Sequence, residues 1–181
     1  APAEERRGEI RLKIEINTRE IEAFDPPQAI GYAVENPWFT GAADIAGFSR
    51  EELLATKLRA LLQRDKGRDL LDLAHALAVF PDLDVKRIAA TLGHYLRRAE
   101  ISISRAEAEK RMFAKLVSPR FVTDIRPLLS SDAAEKLTEA AVRNAFADVF
   151  SKLITAMPCT PWAKTPEKLE HCGLTSIISG G

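Results

Sequence analysis

The chain has 181 residues, 46% hydrophobic and 29% charged, with 26 basic and 26 acidic side chains and a formal net charge of zero. This is the composition of a globular protein large enough for one sizeable core. Its balanced charge excludes an overall field that would draw in nucleic acid, leaving room only for local basic patches. No apolar run approaches the roughly 20 residues of a membrane helix, and the opening "APAEERRGEI" has no apolar h-region of a signal peptide.

Residues 9 to 18, "EIRLKIEINT", alternate strictly: Ile10, Leu12, Ile14 and Ile16 face one way, Arg11, Lys13, Glu15 and Asn17 the other. That pattern predicts a half-buried strand. The Pro- and Gly-rich stretch that follows predicts a connection carrying one or two short strands, one of them near residues 39 to 46. At Ser49 the pattern turns helical. "SREE" is a capping box with Ser49 as N-cap and Glu52 at the third helical position, and helix one runs to about Gln63. Gly67 ends the basic link "RDKG", and helix two spans about Arg68 to Val79. Asp84 caps a third helix to about Arg98, and a fourth starts near Ser104 and stops at Pro119. Ser131 or Asp132 caps a long fifth helix to about Ala156. The rest, from "PCTPWAKTPEKLEHCG" onward, loses the pattern and is expected to be irregular. The layout is α+β: a small sheet remnant in residues 1 to 48, a bundle of about five helices in 49 to 156, and a tail in 157 to 181. A strand pair this small needs a partner layer.

The residues that could carry chemistry gather on helices one and two. Leu53, Leu54, Leu58, Leu61 and Leu62 mark a buried stripe, yet Lys57 stands inside it, four residues from both Leu53 and Leu61. An isolated buried ammonium is costly, so Lys57 must pair, snorkel or line a cavity. Helix two sets Leu70, Leu73, Ala74 and Leu77 on its apolar face, with Asp69 and Asp72 beside them. A short link folds the two helices into an antiparallel hairpin, bringing Lys57, Arg64, Lys66, Arg68, Asp69 and Asp72 together. Asp69 also suits the helix dipole in the first turn, whereas Asp72, one turn on, is explained less well by it. Glu15, on the polar face of its strand, reads either as a cross-strand partner or as a hard oxygen ligand for a divalent metal. His75 and His94 read as structural. Cys159 and Cys172 match no zinc spacing and read as free thiols of a cytosolic protein. No "GxSxG", "HExxH", "CxxC" or phosphate-loop pattern is present.

"LKIEINTRE", followed by "EELLATKLRALLQRDKGRDLLDLAHAL", resembles the AbiEii/AbiGii nucleotidyltransferase toxin family, with Lys, Arg-Asp and Asp in the family's order and register. The resemblance covers most of residues 9 to 155. It implies a nucleotidyltransferase fold, a small mixed sheet followed by helices, in a cytoplasmic toxin of a phage-defence or toxin–antitoxin operon, partnered by an antitoxin protein. It implies transfer of a nucleotidyl group from an NTP, with Mg²⁺, to an acceptor such as the 3′ end of tRNA. By the same resemblance Glu15 belongs to the metal-binding set, Lys57 neutralises the phosphates, and Arg68 with Asp69 completes the active-site wall. Asp72 matches the acid one turn on. The family's "GGTAL"-like turn and Asp-x-Asp pair are not in this sequence, which opens just before the strand of Glu15. Two-metal phosphoryl transfer needs several carboxylates, so the expectation is a shortened, processed or degenerate form without transfer activity of its own. The rival expectation is a helical module, residues 49 to 155, that binds an antitoxin or self-associates without chemistry, using surface near Phe113, Leu116 and Val117 or near Phe146 and Phe150.

Overall fold

The computed structural model describes residues 22–118, 121 and 137–175. The strand predicted over residues 9 to 18, and Glu15 with it, lies outside them. The fold is α+β: a two-stranded antiparallel sheet and, among the described residues, six α-helices. Strand β1 (Gln28–Asn36) pairs with β2 (Phe39–Gly47) in a register that sets Asn36 opposite Phe39 and Gln28 opposite Gly47. The "one or two strands" reading therefore resolves as two. The tight turn is organised by Asn36, whose Oδ1 accepts from the Trp38 and Phe39 amides at 3.0 and 2.9 Å, an Asx turn of the kind this residue favours. Residues opposite one another share a face, so Ile30, Tyr32, Phe39 and Ile45 form one apolar side, and all four are exposed.

The helices are α1 (Arg50–Gln63), α2 (Gly67–Val79), α3 (Val85–Arg98), α4 (Arg105–Leu116), α5 (Glu139–Val149) and α6 (Thr165–His171). Local chemistry sets most of their starts. Ser49, Asp84 and Ser104 each accept from main-chain amides in the first turn of α1, α3 and α4, satisfying donors that have no intrahelical partner. The fifth helix differs from expectation. It starts at Glu139, capped by Thr138, whose Oγ1 accepts from Ala141 N at 3.1 Å; the expected caps, Ser131 and Asp132, lie outside the described residues. It also ends early as a regular α-helix, passing into a π turn over Phe150–Ile154 closed by Thr155 N to Phe150 O. The extra residue in that turn rotates the face, so Phe150, Leu153 and Ile154 are all buried.

The tail also differs. Residues 165 to 171 form α6, and Leu169 and Leu174 join the core. Gly173 takes the left-handed conformation at φ 67°, and the Leu174 amide returns to Leu169 O, closing the helix as a glycine at this position does. Two signals mark this helix in the sequence: Pro166 in its first turn and Gly173 just past its end.

One hydrophobic core runs through the helices. Helix α1 packs on α2 and α3, α2 also on α5, and the π turn against α3 and α4. Phe146 stacks on Phe150 and Phe113 packs tilted against both inside it, with ring centroids 5.3 to 5.6 Å apart. These aromatics are therefore core, and of the surface suggested for a helical module only Val117 stands well exposed.

Candidate functional site

Helices α1 and α2 form the antiparallel hairpin that the short link predicts, and Lys57 faces Asp72 across it. The Lys57 Nζ donates to Asp72 Oδ2 at 2.6 Å and lies 3.9 Å from Asp69 Oδ1. The lysine is at the edge of the core. Leu54, Leu58, Leu61 and Leu62 are buried, with Ala55 joining them, but Leu53 is 49% exposed and not part of the buried stripe. Lys57 shares this margin, its side chain 34% exposed. Its stem covers leucine while its ammonium reaches the mouth of a cleft.

That cleft, about 280 Å³, is lined by Arg50, Leu53, Leu54, Lys57, Asp72, His75, Ala76 and Phe80. Its floor is apolar. One ion pair stands at one end, and Arg50 lies over the Phe80 ring at 4.9 Å at the other.

Asp69 is placed differently from Asp72. It is fully buried, and Arg64 takes both its oxygens, Nε to Oδ2 at 2.8 Å and the terminal nitrogen to Oδ1 at 2.9 Å. A two-point contact of this kind is the strong form of an arginine–carboxylate pair and removes most of the cost of burying the charge. The principal partner of Asp69 is thus Arg64, with Lys57 a second, more distant cation; Asp72 is the one that directly holds Lys57. Arg68, expected in the wall of the site, is exposed on the first turn of α2, without an ion-pair partner among the described residues.

The α1 end of this hairpin is locked from outside. Arg111 donates to Leu62 O at 3.0 Å and Lys115 Nζ to Arg64 O at 2.7 Å. These two α4 cations occupy carbonyls at the last turn of α1, which has no basic residue of its own.

The start of α1 is held by Glu52. The capping box is realised in half: Ser49 Oγ accepts from Glu52 N at 3.2 Å. The Glu52 carboxylate, fully buried, instead accepts from Phe24 N at 2.6 Å, from Asp25 N at 2.9 Å and from the Tyr95 hydroxyl. Burial, together with the hydrogen bond to Glu52 and the charge of that carboxylate, pushes the Tyr95 phenol up to about 12. Arg87 pairs with Asp25 and lies over Phe24, and Arg98 reaches Glu22 at 3.1 Å. Residues 22 to 25 are thereby fastened across α1 and α3. Sequence reasoning misses this clasp because Glu52 reads as a local capping residue, and nothing near it in sequence names Phe24 or Tyr95.

The described residues do not suit a divalent ion. They contain no group of three or more His, Cys, Asp or Glu side chains able to hold one. Asp69 has both oxygens committed to Arg64, Asp72 is committed to Lys57, and Glu15 is outside the described residues. Cys159 and Cys172 are free thiols, and no helix among the described residues is long and apolar enough to cross a membrane.

Among known families, the model described as "Nucleotidyl transferase AbiEii toxin, Type IV TA system" matches residues 1–152. No curated protein and no solved structure matches the chain.

Proposed function

The chain belongs to the AbiEii nucleotidyl transferase toxin family of type IV toxin–antitoxin systems, and on that premise we propose that the α1–α2 cleft receives a nucleoside triphosphate. Lys57 is its phosphate contact. The observation that carries this reading is the position of its ammonium, held by Asp72 at 2.6 Å and backed by buried Asp69 at 3.9 Å, at the mouth of a cleft. A compact, strongly hydrated point charge on a flexible stem suits a polyphosphate, and Asp72 holds it extended until the ligand arrives.

The reaction this binding serves is nucleotidyl transfer. An acceptor hydroxyl, for which the 3′ end of a tRNA is the candidate, attacks the α-phosphorus. A new phosphorus–oxygen bond forms as the bond to the bridging oxygen of pyrophosphate breaks, and the hydroxyl proton passes to base or water. Lys57 offsets charge gathering on the leaving phosphates. Arg64 acts as a positioning residue: by fixing Asp69 it fixes the field behind Lys57. Asp72, with Asp69, orients the lysine. The same family membership leads us to propose an antitoxin partner.

Replacing Lys57 with Met tests the reading, because Met keeps the apolar stem and removes the charge. The Lys57–Asp72 pair is partly exposed on both sides, so its loss costs at most about 1 kcal/mol of stability. Binding of ATP, followed by calorimetry, is expected to fall at least tenfold while the unfolding midpoint moves by only about 2–4 °C. Unchanged nucleotide affinity in a folded Lys57→Met protein removes the cleft from the proposal. A variant altered only in partner binding favours the interaction-module reading instead.

A further inference from the structure

We propose that Phe80 and Arg50 form the stacking platform for the nucleobase, at the end of the cleft opposite Lys57. This rests on the phosphate role assigned to Lys57 above and adds which part of the ligand the rest of the cleft takes.

The argument begins with spacing. Arg50 is seven residues before Lys57 on α1, and Phe80 lies eight residues beyond Asp72 at the end of α2. At about 1.5 Å per residue, both intervals place the platform roughly 10–12 Å from the Lys57–Asp72 pair. The helices run antiparallel, so the two measures point the same way along the cleft. In a nucleotide, six bonds lead from the base through the ribose ring oxygen and 5′ carbon to the α-phosphorus, and each advances less than its length of about 1.5 Å. The α-phosphorus of a base seated at Phe80 therefore stops short of Lys57, and the β- and γ-phosphates lie beside it.

The chemistry of the platform fits a flat, electron-rich ring. Phe80 is partly buried and packed against the core, so its ring is fixed. Arg50 covers its exposed face at 4.9 Å. What else holds Arg50 is Asp82, at 3.3 Å, in a pair 50% and 66% exposed, and such pairs contribute little. The guanidinium can swing outward and close over an inserted base, stacking on it as arginine does on aromatic faces. Between platform and lysine the floor is Leu53, Leu54 and Ala76, with His75 at the side for a ribose hydroxyl.

Among the described residues, the lining contains no Asn, Gln, Ser or Thr. Base edges are thus not read by side-chain amides or hydroxyls, and with Arg50 in the stack and Lys57 and Asp72 at the phosphate end, the base is held by stacking, which accepts every base and gains most from the larger purines. The substrate class is a nucleoside triphosphate chosen by stacking area, with ATP and GTP similar and both ahead of CTP and UTP.

Calorimetric titration of the full chain with ATP, GTP, UTP and inorganic tripolyphosphate tests this. ATP and GTP are expected to bind roughly tenfold more tightly than tripolyphosphate. Phe80→Ala and, separately, Arg50→Met are expected to bring ATP down toward the tripolyphosphate value while leaving tripolyphosphate itself unmoved; Phe80→Trp is expected to retain ATP binding. Arg50 is exposed, so its variant keeps the test standing if Phe80→Ala fails to fold. Equal wild-type affinities for ATP and tripolyphosphate, or a parallel loss of both in the folded variants, overturn the platform while leaving the phosphate contact intact. A hundredfold preference between ATP and GTP overturns it too. If neither ATP nor tripolyphosphate binds the wild-type chain, the phosphate reading falls and the platform with it.

Discussion

Replacing Glu52 with Gln changes one atom in the clasp that fastens residues 22 to 25 to the helices. The carboxylate accepts from Phe24 N and the Tyr95 hydroxyl on Oε1 and from Asp25 N on Oε2, with no exposure to solvent. A carboxamide can keep its oxygen toward Phe24 and Tyr95, but its NH₂ then points at the Asp25 amide, a donor against a donor. The stranded amide costs about 1–3 kcal/mol. The two surviving bonds lose their charge-assisted character, worth about half their strength and about another 1 kcal/mol in total. A loss of roughly 3 kcal/mol in a chain of this size corresponds to a fall of about 6–12 °C in the unfolding midpoint. Thermal unfolding followed by circular dichroism reads the midpoint, and hydrogen exchange at the Phe24 and Asp25 amides reads the clasp itself. Glu51→Gln serves as the control: among the described residues its carboxylate reaches only the Asp84 amide, at 3.4 Å, and its loss should stay within about 0.5 kcal/mol. A midpoint for Glu52→Gln within 2 °C of the wild type, with both amides still protected, would refute the claim that this carboxylate carries the attachment.

The phenol of Tyr95 is held up near 12 in the folded chain, above its ordinary value of about 10. A group whose folded pKa is raised contributes stability that is complete below the unfolded value and is lost as pH climbs through the folded one. Urea unfolding between pH 8 and 12 is therefore expected to lose stability above pH 10 more steeply in the wild type than in Tyr95→Phe; superimposable profiles would contradict the assignment. At the other end of the bundle, buried Glu109 accepts from Arg105 Nε at 2.8 Å, Trp162 N at 2.8 Å and Thr165 Oγ1 at 2.5 Å. Glu109→Ala leaves the guanidinium and two donors without their acceptor and is expected to cost about 3–5 kcal/mol, freeing α6. Faster limited proteolysis between residues 157 and 175 and a red shift of tryptophan emission, to which Trp162 contributes, are the readouts; an unaltered cleavage pattern counts against the anchor.

The hairpin itself was legible in the sequence, and so was the meeting of Lys57 with two acids, because both follow from a short link between two periodic helices. The assignment of partners was not. Periodicity places Asp69 and Asp72 on neighbouring sides of α2, but the exact approach of α1 decides that Asp72 meets Lys57 and that Arg64 captures Asp69. Leu53 illustrates the same limit. Its spacing from Leu54 and Leu58 is helical, and only the positions of α2 and α3 leave it at a cleft margin and bury Ala55 in its stead.

What this sequence determined by itself is what acts within a turn or two of chain: the caps at Ser49 and Asp84, the helix start near Ser104, and an α+β order of elements. Those features depend on groups a few residues apart, whose separation is set by covalent geometry. Only the tertiary structure decided where the buried carboxylates of Glu52 and Glu109 find their donors, 28 and 53 residues away along the chain. A carboxylate taken out of water must be met by donors wherever the fold supplies them, and which donors arrive is fixed by how the helices cross, a property that no local stretch of residues contains.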